Sequence, residues 1–115
     1  MRKSLLQKRL NLIEELTSHN LKMISYFQSD ITKYKLLLIV IKSYYKNKLH
    51  TIEETINLLP ENISSRAHKL NCITDATFKN YFEKEVVEPD QRRKYLKPSE
   101  KLLEEFVQYC EIFDQ

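Results

Sequence analysis

Apolar residues in the first quarter of the chain follow a helical spacing. From Ser4 to Phe27 they recur every three or four positions, and a second apolar row runs beside the first. Ser4 and Gln7 have the spacing of a capping box, so a helix is expected to begin at Ser4. Poor helix formers fill Thr17 to Asn20, and a kink or break there is the alternative to one continuous helix. One small domain cannot bury both apolar rows of this helix. The pattern therefore favours packing against a helix of another chain.

A second helix is predicted from Ile31 to about Lys46, and it begins near Ser29 or Asp30. Its apolar residues again recur at helical spacing. The run LLLIVI in its middle contains enough β-branched residues to form a buried strand instead. Because the helical spacing continues on both sides of the run, we expect a central buried helix.

The middle of the chain predicts a short helix, a turn and a longer helix. A capping box from Thr51 to Glu54 opens the short helix, and Pro60 ends it. The longer helix is expected to begin with Asn62 or Ser64 as its cap. Its buried side is predicted to hold Ile63, Ala67, Leu70, Ile73 and either Ala76 or Thr77. Two helices joined by a tight turn follow the helix-turn-helix plan.

Two short strands are predicted after the longer helix. They cover residues 81–87 and 92–97, and Pro89 suits the second place of the turn between them. In the register that this turn implies, Glu85 lies opposite Lys94, and the opposite charges favour the hairpin slightly.

Polar residues mark the ends of the helices on either side of this hairpin. Asn80 falls where the longer helix must stop, and Asn is the best residue after Gly for a left-handed position. Ser99 is expected to cap a final helix whose apolar residues extend to Phe113.

Length and composition narrow the classes of protein. A chain of 115 residues suits one domain. It has no glycine, which excludes a glycine-cradled phosphate or dinucleotide site, and no apolar run approaches the roughly 18 residues of a membrane span. The N-terminal residues lack the apolar region of a secretory signal. Without such a signal we expect a cytoplasmic protein. Cys72 and Cys110 are too few for a disulfide framework, so we expect reduced thiols.

Basic charge is concentrated in two places, although the net charge is only +3. One is the hairpin and the residues after it, with Arg92, Arg93, Lys94, Lys97 and Lys101 against Glu100. The other is a polar, acid-free face of the longer helix, formed by Ser64, Ser65, Arg66, His68, Lys69 and Asn71. Two basic surfaces side by side indicate nucleic acid as a partner.

From about Lys35 to Phe113 the chain resembles the MarR-type winged helix-turn-helix regulators. The resemblance rests on the order short helix, recognition helix, hairpin and capped helix, together with three local motifs. These are Asn80-Tyr81-Phe82, where the family has a glycine and two apolar residues, Asp90-Gln91-Arg92-Arg93 at the wing, and Ser99, where a capping Thr is usual. The chain departs from the family in Asn80, in its short wing loop, and in having one helix after the wing where members commonly have two.

The resemblance implies a mainly α fold with a small β-hairpin wing and long N-terminal and C-terminal helices, all in one winged helix-turn-helix domain. Residues 1–28 would form a dimerisation helix, 31–98 the DNA-binding core with its wing at 81–97, and 99–115 the C-terminal helix. Family members are dimeric transcription regulators, so double-stranded DNA and a second copy of the chain, joined through the terminal helices, are the implied partners. Many members also bind a small ligand, and a small-molecule effector of this chain is left open.

The recognition helix is expected to enter the major groove, with the wing on the backbone or in the minor groove. The residues expected to contact DNA are Ser64, Ser65, Arg66, His68, Lys69 and Asn71 on the helix, and Arg92, Arg93 and Lys94 on the wing. Asp90 is expected to orient a wing arginine, because a carboxylate near phosphates is unfavourable unless it is paired. The alternative for both surfaces is that their polar and basic side chains are exposed to solvent and contact no partner.

Other chemistry has weaker support. His68 and Cys72 are four positions apart on one helix, but two ligands do not make a structural metal site, so neither a metal nor a cofactor is expected. No nucleophile, base and orienting group form a recognisable arrangement, and the chain is not expected to be an enzyme. The alternative function is a winged-helix protein-interaction module that does not bind DNA and uses its apolar N-terminal helix to bind another protein.

Overall fold

The computed structural model describes residues 2–18, 21–86 and 93–114, and within these ranges it has six helices and three short strands. The helices are α1 (Arg2–Ser18), α2 (Lys22–Gln28), α3 (Ile31–Tyr45), α4 (Ile52–Leu58), α5 (Arg66–Phe78) and α6 (Glu100–Phe113). The strands are β1 (His50–Thr51), β2 (Phe82–Val86) and β3 (Lys94–Pro98). The predicted mainly α fold with a small β-hairpin is confirmed.

The N-terminal apolar stretch forms two helices, α1 and α2, which is the break that the poor helix formers allow. The predicted start at Ser4 is wrong, because α1 already begins at Arg2 and Ser4 lies inside it. The N-cap of α2 is Leu21, which has no side-chain acceptor to offer. A carboxylate on α6 supplies it instead, since the Ile24 N–H donates to Glu105 Oε2 over 2.7 Å. This contact fixes α2 against α6.

The other helix starts follow from local hydrogen-bond chemistry. Asp30 caps α3 and Ser99 caps α6, and Thr51 and Glu54 form the predicted capping box of α4. The predicted caps of α5 are wrong by at least one residue. The cap is Ser65, whose hydroxyl accepts a hydrogen bond from the His68 N–H at 3.1 Å.

Two asparagines replace glycine at helix ends. Asn80 has a φ of 63°, as its place in the sequence predicts, and Asn47 after α3 has a φ of 55°. After α5, the Asn80 N–H donates to the Thr77 carbonyl and the Tyr81 N–H donates to the Ala76 carbonyl, which is the Schellman pattern. The same pattern follows α3. The chain therefore ends both helices in the left-handed conformation without glycine.

The sheet has the order β1-β3-β2, and both pairings are antiparallel. β1 has only two residues, too few to show a periodic pattern in the sequence. The predicted pairing of Glu85 with Lys94 is wrong, because Glu85 lies opposite Tyr95. The observed register places buried Phe82 and Leu96 on one face. A shift of one residue would put them on opposite faces, so burial of the core determines the register.

The core is centred on α3, which packs against α2, α4, α5 and β3. Leu36, Leu37 and Val40 are fully buried, so the prediction that the LLLIVI run forms a buried helix is confirmed. Large side chains from the other elements complete the core, among them Phe27, Ile73, Phe82, Leu96 and Leu102. The helix-turn-helix pair and the hairpin are thereby held on one scaffold.

α1 packs mainly on α6, and its Leu12 and Leu16 pack against the edge of the core. Leu6, Leu10 and Ile13, at helical spacing on α1, are each more than half exposed. On α6, Val107 and Phe113 are also largely exposed. None of the helices in the described ranges is both long and apolar enough to cross a membrane.

Candidate nucleic-acid interface

α5 presents a different outward face from the one that the sequence predicts. Its buried row is Lys69, Cys72, Ile73 and Ala76. The exposed residues are Arg66, Ala67, Leu70, Asn71, Thr74 and Phe78. The prediction that Ala67 and Leu70 face the core is wrong, since Leu70 is 44% exposed. The helix is rotated because Cys72 and Ile73, rather than the row from Ala67 through Leu70, meet the apolar core.

Lys69 was predicted to lie on the DNA-facing surface, and its burial contradicts this. Its side chain is only 5% exposed, and its Nζ donates to the Glu61 carbonyl over 3.4 Å. The aliphatic stem packs under the turn between α4 and α5, as long cationic side chains often do. Lys69 therefore stabilises the helix-turn-helix from inside.

Ser64 and Ser65 hold the N-terminal end of α5. Ser64 is half-buried, and its Oγ accepts a hydrogen bond from the Thr32 hydroxyl at 2.9 Å, which ties the turn to α3. Ser65 is exposed but already caps α5. Both predicted contact residues thus have a structural role, and only Ser65 is open to solvent.

Arg66 is exposed and forms an ion pair with Glu53 of α4. Both side chains are well exposed, so the pair contributes little to stability and can open when another anion approaches. Asn71, one turn further along α5, is exposed and lies near the middle of the outward face. Of the six helix residues predicted to contact DNA, Ser65, Arg66 and Asn71 remain on the surface of α5.

His68 contacts the start of α3, and its side chain remains 43% exposed. Its Nε2 lies 3.0 Å from Asp30 Oδ2 and 3.5 Å from Cys72 Sγ. Partial burial opposes ionisation of Asp30, but hydrogen bonds from the Thr32 N–H and from His68 outweigh it and lower the pKa of this carboxyl. Burial raises the pKa of the Cys72 thiol, and the nearby Asp30 adds to this effect. His68 thus links α5 to α3, and its predicted contact with DNA stays a prediction.

The wing is described only in part. Asp90 and Arg92 lie outside the described residues. Arg93 and Lys94 are exposed where the chain enters β3. The pKa of Glu54 is lowered mainly by hydrogen bonds from the Thr51 backbone and side chain, and the charge of Arg93 lowers it further. Arg93 is therefore near the start of α4, on the helix-turn-helix side of the molecule.

Sequence reasoning missed the apolar part of the α5 face. Phe78, in the last turn, is 84% exposed, and Leu70 and Thr74 precede it at intervals of four residues. Exposed apolar side chains on a helix look like core residues in a sequence, so no local signal marks them as outward-facing. Thymine methyl groups or an apolar protein surface are the partners that such side chains suit.

Comparison of the sequence with family models and with characterised proteins finds no match. Comparison of the folds does. A MarR-like protein from Bacillus cereus ATCC 10987, to which a role in transcription regulation is ascribed, superposes with a TM-score of 0.54 at 16% identity, covering 98% of this chain and 76% of that one. The heme sensor protein PefR, in complex with heme and carbon monoxide, has a TM-score of 0.54 at 16% identity, with coverages of 95% and 73%.

PefR from Streptococcus agalactiae in complex with heme gives a TM-score of 0.50 at 17% identity, covering 92% of this chain and 73% of that one. At these identities the likeness concerns the fold. The chain has the fold of these proteins, a winged helix-turn-helix, over nearly its whole length.

Proposed function

We propose that the chain is a transcription regulator that binds double-stranded DNA in a sequence-specific way. The observation that carries the proposal is the exposed face of α5, with Asn71 near its middle. The exposed Arg93 and Lys94 lie near the start of α4, the other helix of the pair, because β3 pairs with β1 directly before α4. A helix of 13 residues is about 20 Å long, and the major groove admits one such helix. The similar folds of MarR-like regulators support the same assignment.

Asn71 is the best candidate for reading a base. A side-chain amide can bind adenine through two hydrogen bonds, and such a pair discriminates against the wrong base by about 1–3 kcal/mol. Leu70 and Thr74 flank it and offer methyl groups to thymine. A·T base pairs at the centre of each half-site are therefore expected. Ser65 and Arg66, at the start of α5, are assigned to the edge of the groove and its phosphates.

The wing supplies the positive charge that α5 lacks. Without DNA, Arg66 is paired with Glu53 and Lys69 is buried, so the outward face of α5 has little positive charge until that exposed pair opens. Arg92, Arg93 and Lys94 are proposed to lie on the DNA backbone or in the minor groove, with Asp90 orienting one of the arginines. Affinity would then come largely from the wing and base preference from α5.

A second copy of the chain is the proposed partner of α1 and α6. The exposed row Leu6, Leu10 and Ile13, with Val107 and Phe113 of α6, is apolar surface that a monomer leaves in water. A two-fold dimer would present two α5 helices to half-sites about one helical turn apart, roughly 34 Å.

One observation favours a second candidate function. Phe78 is 84% exposed, about two turns along α5 from the exposed Leu70, and a large aromatic side chain in water at this position also suits a protein partner. A protein-interaction module with the same fold would use this surface or α1 and would not bind duplex DNA.

A salt series with duplex DNA separates the two candidates. We expect the affinity of the wild-type chain for a mixed-sequence duplex to fall steeply between low and moderate salt, because each phosphate contact releases counterions. Replacing Arg92 and Arg93 together by Ala should weaken binding to every duplex and reduce the log–log slope by roughly 1.8, if each holds one phosphate.

The matched control removes the same charge from Lys22 of α2 and Lys35 of α3, which are exposed and belong neither to the residues proposed to contact DNA nor to the proposed dimer helices. That double variant should keep the wild-type slope. If the wild-type chain shows no salt-sensitive binding to any duplex, the regulator proposal fails and the interaction module is favoured. If both double variants reduce the slope equally, the wing assignment fails.

A further inference from the structure

Three possible metal ligands from distant parts of the sequence meet where α5 faces the start of α3. His68 and Cys72 occupy successive turns of α5, and Asp30 is the N-cap of α3. Asp30 Oδ2 is 3.0 Å from His68 Nε2, and Cys72 Sγ is 3.5 Å from the same nitrogen. One ligand atom from each residue lies within 4.8 Å of the other two.

The spacing of these atoms suits a tetrahedral ion. Zinc binds imidazole nitrogen and carboxylate oxygen at about 2.0–2.2 Å and thiolate sulfur at about 2.3 Å, so ligand atoms around it are about 3.3–3.6 Å apart. The nitrogen–sulfur distance already matches, and the oxygen–nitrogen distance requires a displacement of only a few tenths of an ångström. The Asp30 oxygen and the Cys72 sulfur lie within 4.8 Å of each other, so they need to approach by at most about 1.2–1.5 Å.

The two Asp30 oxygens have separate roles. Oδ1 accepts hydrogen bonds from the N–H groups of Thr32 and Lys33 at the start of α3, while Oδ2 points at His68. The carboxylate is therefore held in place by the helix it caps and still has an oxygen for a cation. Cys72 is buried, whereas Asp30 and His68 are half-buried, so the cluster reaches the surface and leaves a side open to water.

We propose that Asp30, His68 and Cys72 bind one first-row divalent cation per chain, with zinc the best match and water in the fourth position. A mixed set of thiolate, imidazole and carboxylate suits zinc, and an open fourth position is usual for a site with three protein ligands. On binding, the Cys72 thiol loses its proton to solvent and the sulfur donates an electron pair to the ion.

The effect of a bound ion on DNA recognition by α5 rests on the proposed function. A bound ion would join the first two turns of α5 to the start of α3 by bonds stronger than the present hydrogen bonds. Asn71 lies between the two α5 ligands in sequence and faces outward. Occupancy of the site would thus fix the helix that carries the proposed base-reading residue.

Cobalt(II) titration of the full, reduced chain without DNA tests the site by itself. We expect one ion per chain, a thiolate-to-cobalt charge-transfer band in the near ultraviolet, and the intense visible bands of a tetrahedral ion, all removed by zinc. Cys72→Ser should abolish the charge-transfer band. Cys110→Ser removes the exposed cysteine on α6 and should leave the spectrum unchanged.

Asp30→Asn tests the third ligand without removing the helix cap, since Asn and Asp are comparable N-caps. It should weaken cobalt binding by roughly tenfold or more, because even the partners of metal ligands contribute that much. The proposal is overturned if Cys72→Ser binds cobalt as tightly as the wild-type chain does, or if the wild-type chain shows no charge-transfer band. Unchanged affinity in Asp30→Asn overturns the three-residue site.

The regulatory consequence needs a separate measurement, the affinity for duplex DNA with and without saturating zinc. We expect zinc to change the affinity of the wild-type chain and not that of Cys72→Ser. If cobalt binds as described but the chain binds no duplex, the metal site stands and the proposed function fails. Equal affinities with and without zinc overturn the coupling of the site to α5.

Discussion

Asn47 and Asn80 show how this chain ends its helices without glycine. Both residues have positive φ, where a side chain with a Cβ is normally unfavourable and Asn is the best-tolerated alternative to Gly. At each position the two N–H groups after the helix satisfy carbonyls of its last turn. Asn80 has the further role of turning the chain from α5 into β2. A change at Asn80 should therefore affect stability without touching the outward face of α5.

Asn80→Ala should lower the free energy of unfolding by about 1 kcal/mol, because Ala has no side-chain hydrogen bond to offset the left-handed conformation. Asn80→Gly is the matched control and should be close to neutral, since Gly adopts this conformation freely. Urea denaturation at constant m-value measures both changes. An Asn80→Ala variant as stable as the wild type would show that the left-handed backbone carries no cost here.

Local chemistry explains which residues could be assigned from the sequence. The caps Asp30, Thr51 and Ser99, and the left-handed Asn80, depend on hydrogen bonds to neighbours within a few positions, so their spacing is visible in the chain. The roles of Lys69 and His68 depend on other elements. Lys69 donates to Glu61 and His68 contacts Asp30, and neither partner is implied by the pattern around α5.

At the scale of the element, the rotation of α5 decides what it can contact. Its apolar residues are spread over more than one side, so periodicity alone does not determine which side is buried. Because Cys72, Ile73 and Ala76 are buried against the core, the opposite side of α5 faces outward. Asn71, with its side-chain amide, lies on that outward face. The hairpin register has the same explanation, because it is set by contacts with the core rather than by the turn.

Asn71→Ala is the sharpest test of this face. We expect it to lose about 1–3 kcal/mol of discrimination at one base-pair position, with the salt slope of binding unchanged. Asn57→Ala, at an exposed site on α4, is the matched control and should leave the base preference intact. Measured affinities for a set of single-base-pair variants of the preferred duplex report both. If Asn71→Ala keeps the wild-type preference at every position, another residue reads the base.

At the scale of the whole molecule, one compact core supports α5 and the hairpin, while α1 lies at its edge on α6. The apolar rows of α1 are visible in the sequence, and part of them stays exposed in the folded chain. A partner helix would bury this exposed apolar surface. A metal at Asp30, His68 and Cys72 would act within the proposed DNA-binding part, and the proposed pairing through α1 and α6 would set the distance between two such parts. The proposed metal site and the proposed dimer surface lie on different helices.

Sequence-specific recognition of duplex DNA is the central claim, and selection of bound duplexes from a random pool tests it most directly. The expected result is an enriched inverted repeat, with A·T base pairs in each half-site and half-site centres about one helical turn apart. Sequence-specific recognition is contradicted if the pool stays random after repeated rounds. That result covers both a chain that retains duplexes without preference and a chain that retains none.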